Sequence, residues 1–76
     1  MREQLMNILS ELRPDVEFEG QERLIDDNMI DSFDVINLVG ELNEAFDIEI
    51  DVGEIVPENF NSVDRILKLI VRLQEE

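Results

Sequence analysis

Apolar residues recur at helical spacing in three separate runs of this chain, and nothing in it offers a pair of strands. Leu5, Ile8, Leu9 and Leu12 share one face of a helix predicted over about Arg2 to Leu12. Pro14 disfavours helical geometry at Arg13 and ends that helix. Val35, Leu38, Val39, Leu42, Ala45 and Phe46 fall on one arc of a second helix, about Ser32 to Phe46. Val63, Ile66, Leu67, Ile70 and Leu73 form the stripe of a last one, about Val63 to Gln74. Asn61 or Ser62 caps it, and Asp64, Arg65, Lys68 and Arg72 take its polar side. Pro57-Glu58-Asn59-Phe60 reads as one short helical turn with Pro at a first-turn position. The predicted fold is therefore all-α, a small bundle of three main helices plus a short fourth.

Two connections remain. Asp15 to Ile30 is a long first loop carrying Gly20 and the Asp26-Asp27-Asn28 cluster, and loops of this length tend to be functional. Phe18, Leu24, Ile25, Met29 and Ile30 give it apolar residues to pack down over a core. In Asp47 to Pro57, Ile48, Ile50 and Val52 alternate with Glu49 and Asp51 as in a half-buried strand. With no partner strand, that segment is read as an extended loop inserting its aliphatic residues into the core.

The chain has 76 residues, which fits a single domain over residues 1–76 that buries about 60% of its unfolded surface. Its only aromatic residues are four Phe, so the core must be built of Leu, Ile and Val. With no Cys there is neither a disulfide framework nor a thiolate site. No apolar run reaches the ~18 residues of a membrane span, and Met1-Arg2-Glu3-Gln4 opens a segment unlike a signal peptide. The expectation is a cytoplasmic monomer without stable membrane insertion.

Charge narrows the choice of partners. Twenty acids against six bases give a formal net charge of −14, and from Leu24 to Val63 there is no base. Such a field repels nucleic acid and anionic membrane and steers basic protein surfaces in. Within the base-free stretch lies Asp31-Ser32-Phe33-Asp34, where Asp31 is a good N-cap and Asp34 gives a carboxylate version of the capping box. Both acids suit the positive end of the helix dipole. The arc opposite the buried face holds Phe33, Ile36, Asn37, Gly40, Glu41 and Glu44, an apolar ridge among acids that reads as a partner surface.

Catalysis is poorly supplied. There is no His or Cys, the one lysine is Lys68, and no base stands near Ser32 in the sequence, so a self-contained nucleophilic site is excluded and no enzyme is expected. Asp47, Glu49, Asp51 and Glu58 match four positions of a calcium loop, but Val52 occupies the place where its sharp turn needs Gly. No dedicated metal site is expected. What remains is Ser32, a first-turn hydroxyl suited to accept a group from another protein.

Asp31-Ser32-Phe33-Asp34, the Leu38-Val39 and Leu42 spacing, Phe46-Asp47-Ile48-Glu49-Ile50, and Asn61-Ser62-Val63 together resemble the acyl carrier proteins over essentially the whole chain. The resemblance implies a four-helix carrier fold and a 4′-phosphopantetheine arm on Ser32, added from coenzyme A by a phosphopantetheinyl transferase. The arm's thiol carries acyl groups as thioesters between enzymes, in fatty-acid or related biosynthesis. A dedicated carrier of a specialised route, polyketide or aminoacyl, is the alternative, and an unmodified acidic adaptor comes from another class. By position, Asp31, Phe33, Asp34, Ile36, Glu41 and Glu44 would meet acyl-loading and acyl-using enzymes with basic docking patches. Val35, Leu38, Leu42, Ile50 and Ile66 are the candidates to line an acyl pocket. The chain departs from the family pattern at Phe33, Asn37, Gly40 and the Pro57-Glu58-Asn59-Phe60 turn, which leaves modification of Ser32 untouched and bears on the identity of downstream enzymes.

Mutual repulsion across the base-free stretch should weaken the fold at low ionic strength. Added salt or divalent cations should raise the melting temperature, followed by circular dichroism. A flat series would show that the repulsion is already offset.

Overall fold

The computed structural model describes residues 1–76 and contains four α-helices and no strand. They are α1 (Arg2–Leu12), α2 (Ser32–Phe46), α3 (Pro57–Phe60) and α4 (Val63–Gln74), with one 3₁₀ turn at Val52–Glu54. Helix α1 packs on α2 and α4, α2 also meets α4, and the short α3 lies against α4. The bounds agree with those read from periodicity, because α2, α3 and α4 each have a local start signal and Pro14 stops α1. Asp31 caps α2, Pro57 occupies the first turn of α3, and Ser62, not Asn61, caps α4 by accepting the Arg65 N–H.

One apolar cluster fills the space between the helices: Leu5 and Leu9 of α1, Val35, Leu38, Leu42 and Phe46 of α2, Phe60 of α3, and Val63, Ile66, Leu69 and Ile70 of α4. Phe18, Leu24 and Ile30 reach it from the long loop, as their apolar character suggested, and Ile50 from the second connection. Three expectations are corrected. Ala45 is exposed, since it falls at the edge of the α2 arc and its side chain is a single methyl group. On α4, Leu69 is buried along with Ile66 and Ile70 although the assigned stripe omitted it, while Leu67 and Leu73 are only half-buried, so the stripe is rotated slightly from the one assigned. Val52 is 84% exposed: the extended segment ends at Asp51, and the 3₁₀ turn that follows points this side chain outward.

Both connections are fastened by asparagines. Asn61 is buried, and its side-chain oxygen accepts the N–H groups of Ile25 (2.9 Å) and Asp26 (3.2 Å). Its amide donates to Asp26 (3.2 Å), and its carbonyl accepts from the Leu24 N–H (2.9 Å). The loop segment leading to Ser32 is thus tied to the α3–α4 junction by four hydrogen bonds on one residue. Asn43 does the same at the other end of α2: its side-chain oxygen accepts the Ile50 N–H (3.0 Å) and draws Ile50 into the core. Between them Asp47 closes α2 in the left-handed conformation (φ 54°), a geometry that Gly or Asn usually supplies.

Charge pairing also fastens the connections. The Arg72 guanidinium forks onto the Glu54 carboxylate (2.7 and 2.8 Å), and Asn59 donates to the Glu54 carbonyl (2.8 Å), joining the 3₁₀ turn to α3 and α4. The Arg72 hydrogen bonds hold the Glu54 carboxyl below its ordinary value near 4.5.

Asn61→Ala should destabilise the fold by about 1–3 kcal/mol, because it strands two loop N–H groups beneath protein. Urea denaturation measures it, and a midpoint within error of the wild type would contradict the assignment. Glu54→Gln should lower the melting temperature at neutral pH. A depressed folded-state pKa stabilises above the ordinary carboxylate value and loses that contribution as pH falls through the lowered one. The gap between wild type and variant should therefore narrow as pH falls below 4.5 and close once it passes the lowered folded-state value. A gap that persists in acid would assign the effect to packing.

Candidate functional site

The start of α2 is fixed by a reciprocal pair of bonds. Asp31 has extended geometry, its carboxylate accepts the Asp34 N–H (2.9 Å), and the Asp34 carboxylate accepts the Asp31 N–H (3.1 Å). Ser32 is the first helical residue between them. It is exposed, and its hydroxyl makes no hydrogen bond within the chain. A primary alcohol held this way is open to solvent, with no side chain hydrogen-bonded to it to take its proton.

Beside Ser32 runs an apolar groove of about 650 Å³. Buried Ile30, Val35 and Phe60 line its depth, and exposed Ile36, Val52 and Val56 stand along its edges. Asn28 and Asp31 join Ser32 as its polar margin. Of the five residues expected to line an acyl pocket, only Val35 reaches this groove. Leu38, Leu42 and Ile66 are fully enclosed and Ile50 is 6% exposed. Beyond its first turn α2 packs against α1 and α4, which closes the space those residues were expected to line. The opposite wall comes instead from the apolar Ile55-Val56-Pro57 run, whose signal in the sequence was an apolar pair placed before a helix-starting proline.

The displayed face of α2 follows the spacing. Phe33 is 77% exposed and Ile36 62%, and Asp31, Glu41 and Glu44 are exposed without an ion-pair partner. Asn37 lies on the same face. Gly40 is exposed there too, and a Cβ added to it would meet nothing within 4 Å, so no internal contact requires glycine.

Asp34 departs from its expected role. Its side chain is only 14% exposed and takes a 2.6 Å hydrogen bond from Arg13 besides capping Asp31. The base-free stretch is thus not base-free in space: folding brings Arg13 back from the end of α1 onto the start of α2. Nothing in the linear order marks that approach.

Elsewhere the surface offers less. A polar hollow of about 730 Å³ beside α4 is edged by Arg2, Arg65, Lys68 and Arg72, but Arg2 is paired with Glu19 and Asp64, and Arg72 with Glu54. Its one hydroxyl, Ser62, is buried as the α4 cap, and its one amine, Lys68, lies exposed on α4. Nowhere do three acidic side chains converge in a way that would hold a metal ion, the Asp47–Glu58 acids included.

Comparison with known proteins agrees with this arrangement. The family model described as a phosphopantetheine attachment site matches residues 3–70. Over 74 residues, the chain is 32% identical to a D-alanyl carrier protein of Streptococcus suis, covering 96% of this chain and 94% of that one. A D-alanyl carrier protein from a second strain is 31% identical over the same share of both chains. The group such proteins bear is 4′-phosphopantetheine, covalently attached, and an outward hydroxyl at a capped helix start beside an apolar groove fits it. A four-helix fold, an unengaged serine and a family match spanning nearly all of its length together make the chain a member of the phosphopantetheine-binding carrier proteins.

Proposed function

We propose that Ser32 bears the 4′-phosphopantetheine arm and that the chain carries a small acyl or aminoacyl group as a thioester, D-alanyl being the first to test. The observation that carries the reading is Ser32 itself: exposed, without a partner, at the first turn of a helix whose start is over-determined. The chain supplies no thiol, so the arm provides the only one available for a thioester.

Cargo size is argued from the filled interior. Leu38, Leu42 and Ile66 leave no slot between the main helices, so a long acyl chain would have to displace core side chains. An aminoacyl group needs no slot, and the similarity to D-alanyl carrier proteins supports that choice. The apolar groove favours a second reading, a short or medium acyl chain resting against Val35, Ile55 and Phe60 on a fatty-acid or related route. Either way the chain is read as a shuttle and not as a catalyst. Its working partners are a phosphopantetheinyl transferase and the enzymes that load and use the cargo. These would approach across Phe33, Ile36, Glu41 and Glu44 with basic residues, and the bare backbone at Gly40 lets a partner's main chain come close.

Incubation with coenzyme A and a phosphopantetheinyl transferase should add one phosphopantetheine by intact mass. Ser32→Ala should abolish the gain with an unchanged helical signal. A wild type that is never modified would leave the acidic adaptor as the reading. The mass of the group on protein purified from its own host, aminoacyl or alkyl acyl, decides between the two cargoes.

A further inference from the structure

Arg13 is the one base that folding brings to the start of α2, and it is bound there on three sides. Its Nε and Nη2 fork onto Asp15 (3.0 and 2.9 Å) while Nη1 reaches Asp34 Oδ2 (2.6 Å). That same Oδ2 accepts the Asp31 N–H, and Asp31 accepts the Asp34 N–H in return. The Arg13 backbone is meanwhile the C-cap of α1, its N–H donating to Leu9 (2.9 Å). One side chain therefore links the end of α1, the start of the long loop and both residues of the capping box that flank Ser32.

We propose that Arg13 is a positioning residue for the modification of Ser32, acting through Asp34. The inference rests on Ser32 being the attachment point. In the transfer, Ser32 Oγ bonds to a phosphorus of coenzyme A as the P–O bond on the nucleotide side of the pyrophosphate breaks. Adenosine bisphosphate leaves, and the hydroxyl proton passes to a base of the transferase. Two conditions at the acceptor favour that step. Ser32 must be presented in a fixed first turn, and the carboxylates around it must not repel the incoming pyrophosphate.

Arg13 serves both conditions. With the guanidinium in place Asp34 is 14% exposed, so Arg13 stands where water would otherwise solvate it. Without Arg13 the carboxylate is drawn outward into that water. That motion breaks its bond to the Asp31 N–H and loosens the turn holding Ser32. It also leaves the Asp34 carboxylate uncompensated beside that of Asp31, on either side of the acceptor serine, and Asp15 without its partner. With Arg13 in place, two of those three carboxylates are paired with it.

The experiment measures phosphopantetheine transfer by intact mass, with coenzyme A and a broad-specificity phosphopantetheinyl transferase, at a temperature where every variant is folded by circular dichroism. R13Q should lower kcat/KM for the carrier by about tenfold, mostly in kcat, and speed hydrogen exchange at the Asp31 amide. R13K, which keeps the charge and one bond to Asp34, should recover part of the rate. The double variant R13Q/D34N should recover most of it, because a neutral amide oxygen still accepts the Asp31 N–H and needs no cation. A merely structural Arg13 would shift melting temperatures and leave the rate per folded molecule unchanged, and that result overturns the proposal. A loss that D34N does not repair overturns it too, since Arg13 would then act elsewhere than through Asp34. An unmodified wild type would remove the attachment reading and this inference with it, an outcome distinct from a wild type and R13Q modified at equal rates.

Discussion

Where α2 begins decides nearly everything else about this protein's surface. The two bonds exchanged by Asp31 and Asp34 pin that beginning, and each residue of a helix turns about 100° from the last. With Asp31 as cap and Val35, Leu38 and Leu42 turned inward, Ser32, Ile36, Gly40 and Glu44 fall in one row on the outer side. A cap one residue away would set local geometry against the core stripe. The cap and the stripe agree, and that agreement holds a hydroxyl outward on a chain with little material to spare. The tie from Asn61 to Leu24, Ile25 and Asp26 does the preparatory work, since it anchors the loop that delivers Asp31 to its place.

Much of this was legible in the residues because the signals are local. Helix bounds followed from Pro14, Asp31, Pro57 and the Asn61-Ser62 pair, whose effects reach only a turn or so along the chain. The outward placement of Ser32, Phe33 and Ile36 followed from the same periodicity that buried Leu38 and Leu42. What was not legible depends on tertiary approach. Arg13 and Asp34 are distant in sequence, and only the crossing of α1 over α2 makes them neighbours. The groove failed for a related reason: its far wall is Ile55-Val56-Pro57, and no pattern within α2 says what lies opposite it. Val52 continued an alternating pattern until the 3₁₀ turn interrupted it, so alternation predicted one residue too many.

The distribution of the few bases is selective. Arg2 joins α1 to the long loop and α4, Arg13 joins α1 to α2, and Arg72 joins α4 to the 3₁₀ turn. The Arg2 pairs are exposed and individually weak, the Arg13–Asp34 pair is largely covered, and each pair is placed where it links separate segments. The acids they leave unpaired on α2 are Asp31, Glu41 and Glu44, alongside the exposed Phe33 and Ile36. Net charge is thus low where the chain needs to close on itself and high where another protein would arrive. A uniform scatter of the same residues would have given solubility alone.

Gly40 extends that argument to the backbone. Glycine in a helix interior costs roughly 1 kcal/mol relative to alanine. A small domain has a total stability of only about 5–15 kcal/mol from which to lose it. Inside this chain the glycine repays nothing: it closes no turn, and a methyl group in its place would touch no other atom. The strained Asp47 at the end of the same helix at least forms the cap that turns the chain toward Ile50. A cost without an internal return, in the row that also carries Ser32 and Ile36, is what the proposed partner surface along that row would account for. The same holds for Phe33 and Ile36, whose burial would be favourable and which the fold leaves in water. Helix α2 is therefore suboptimal as part of an isolated molecule in three adjoining places, and all three face the side on which its serine is offered.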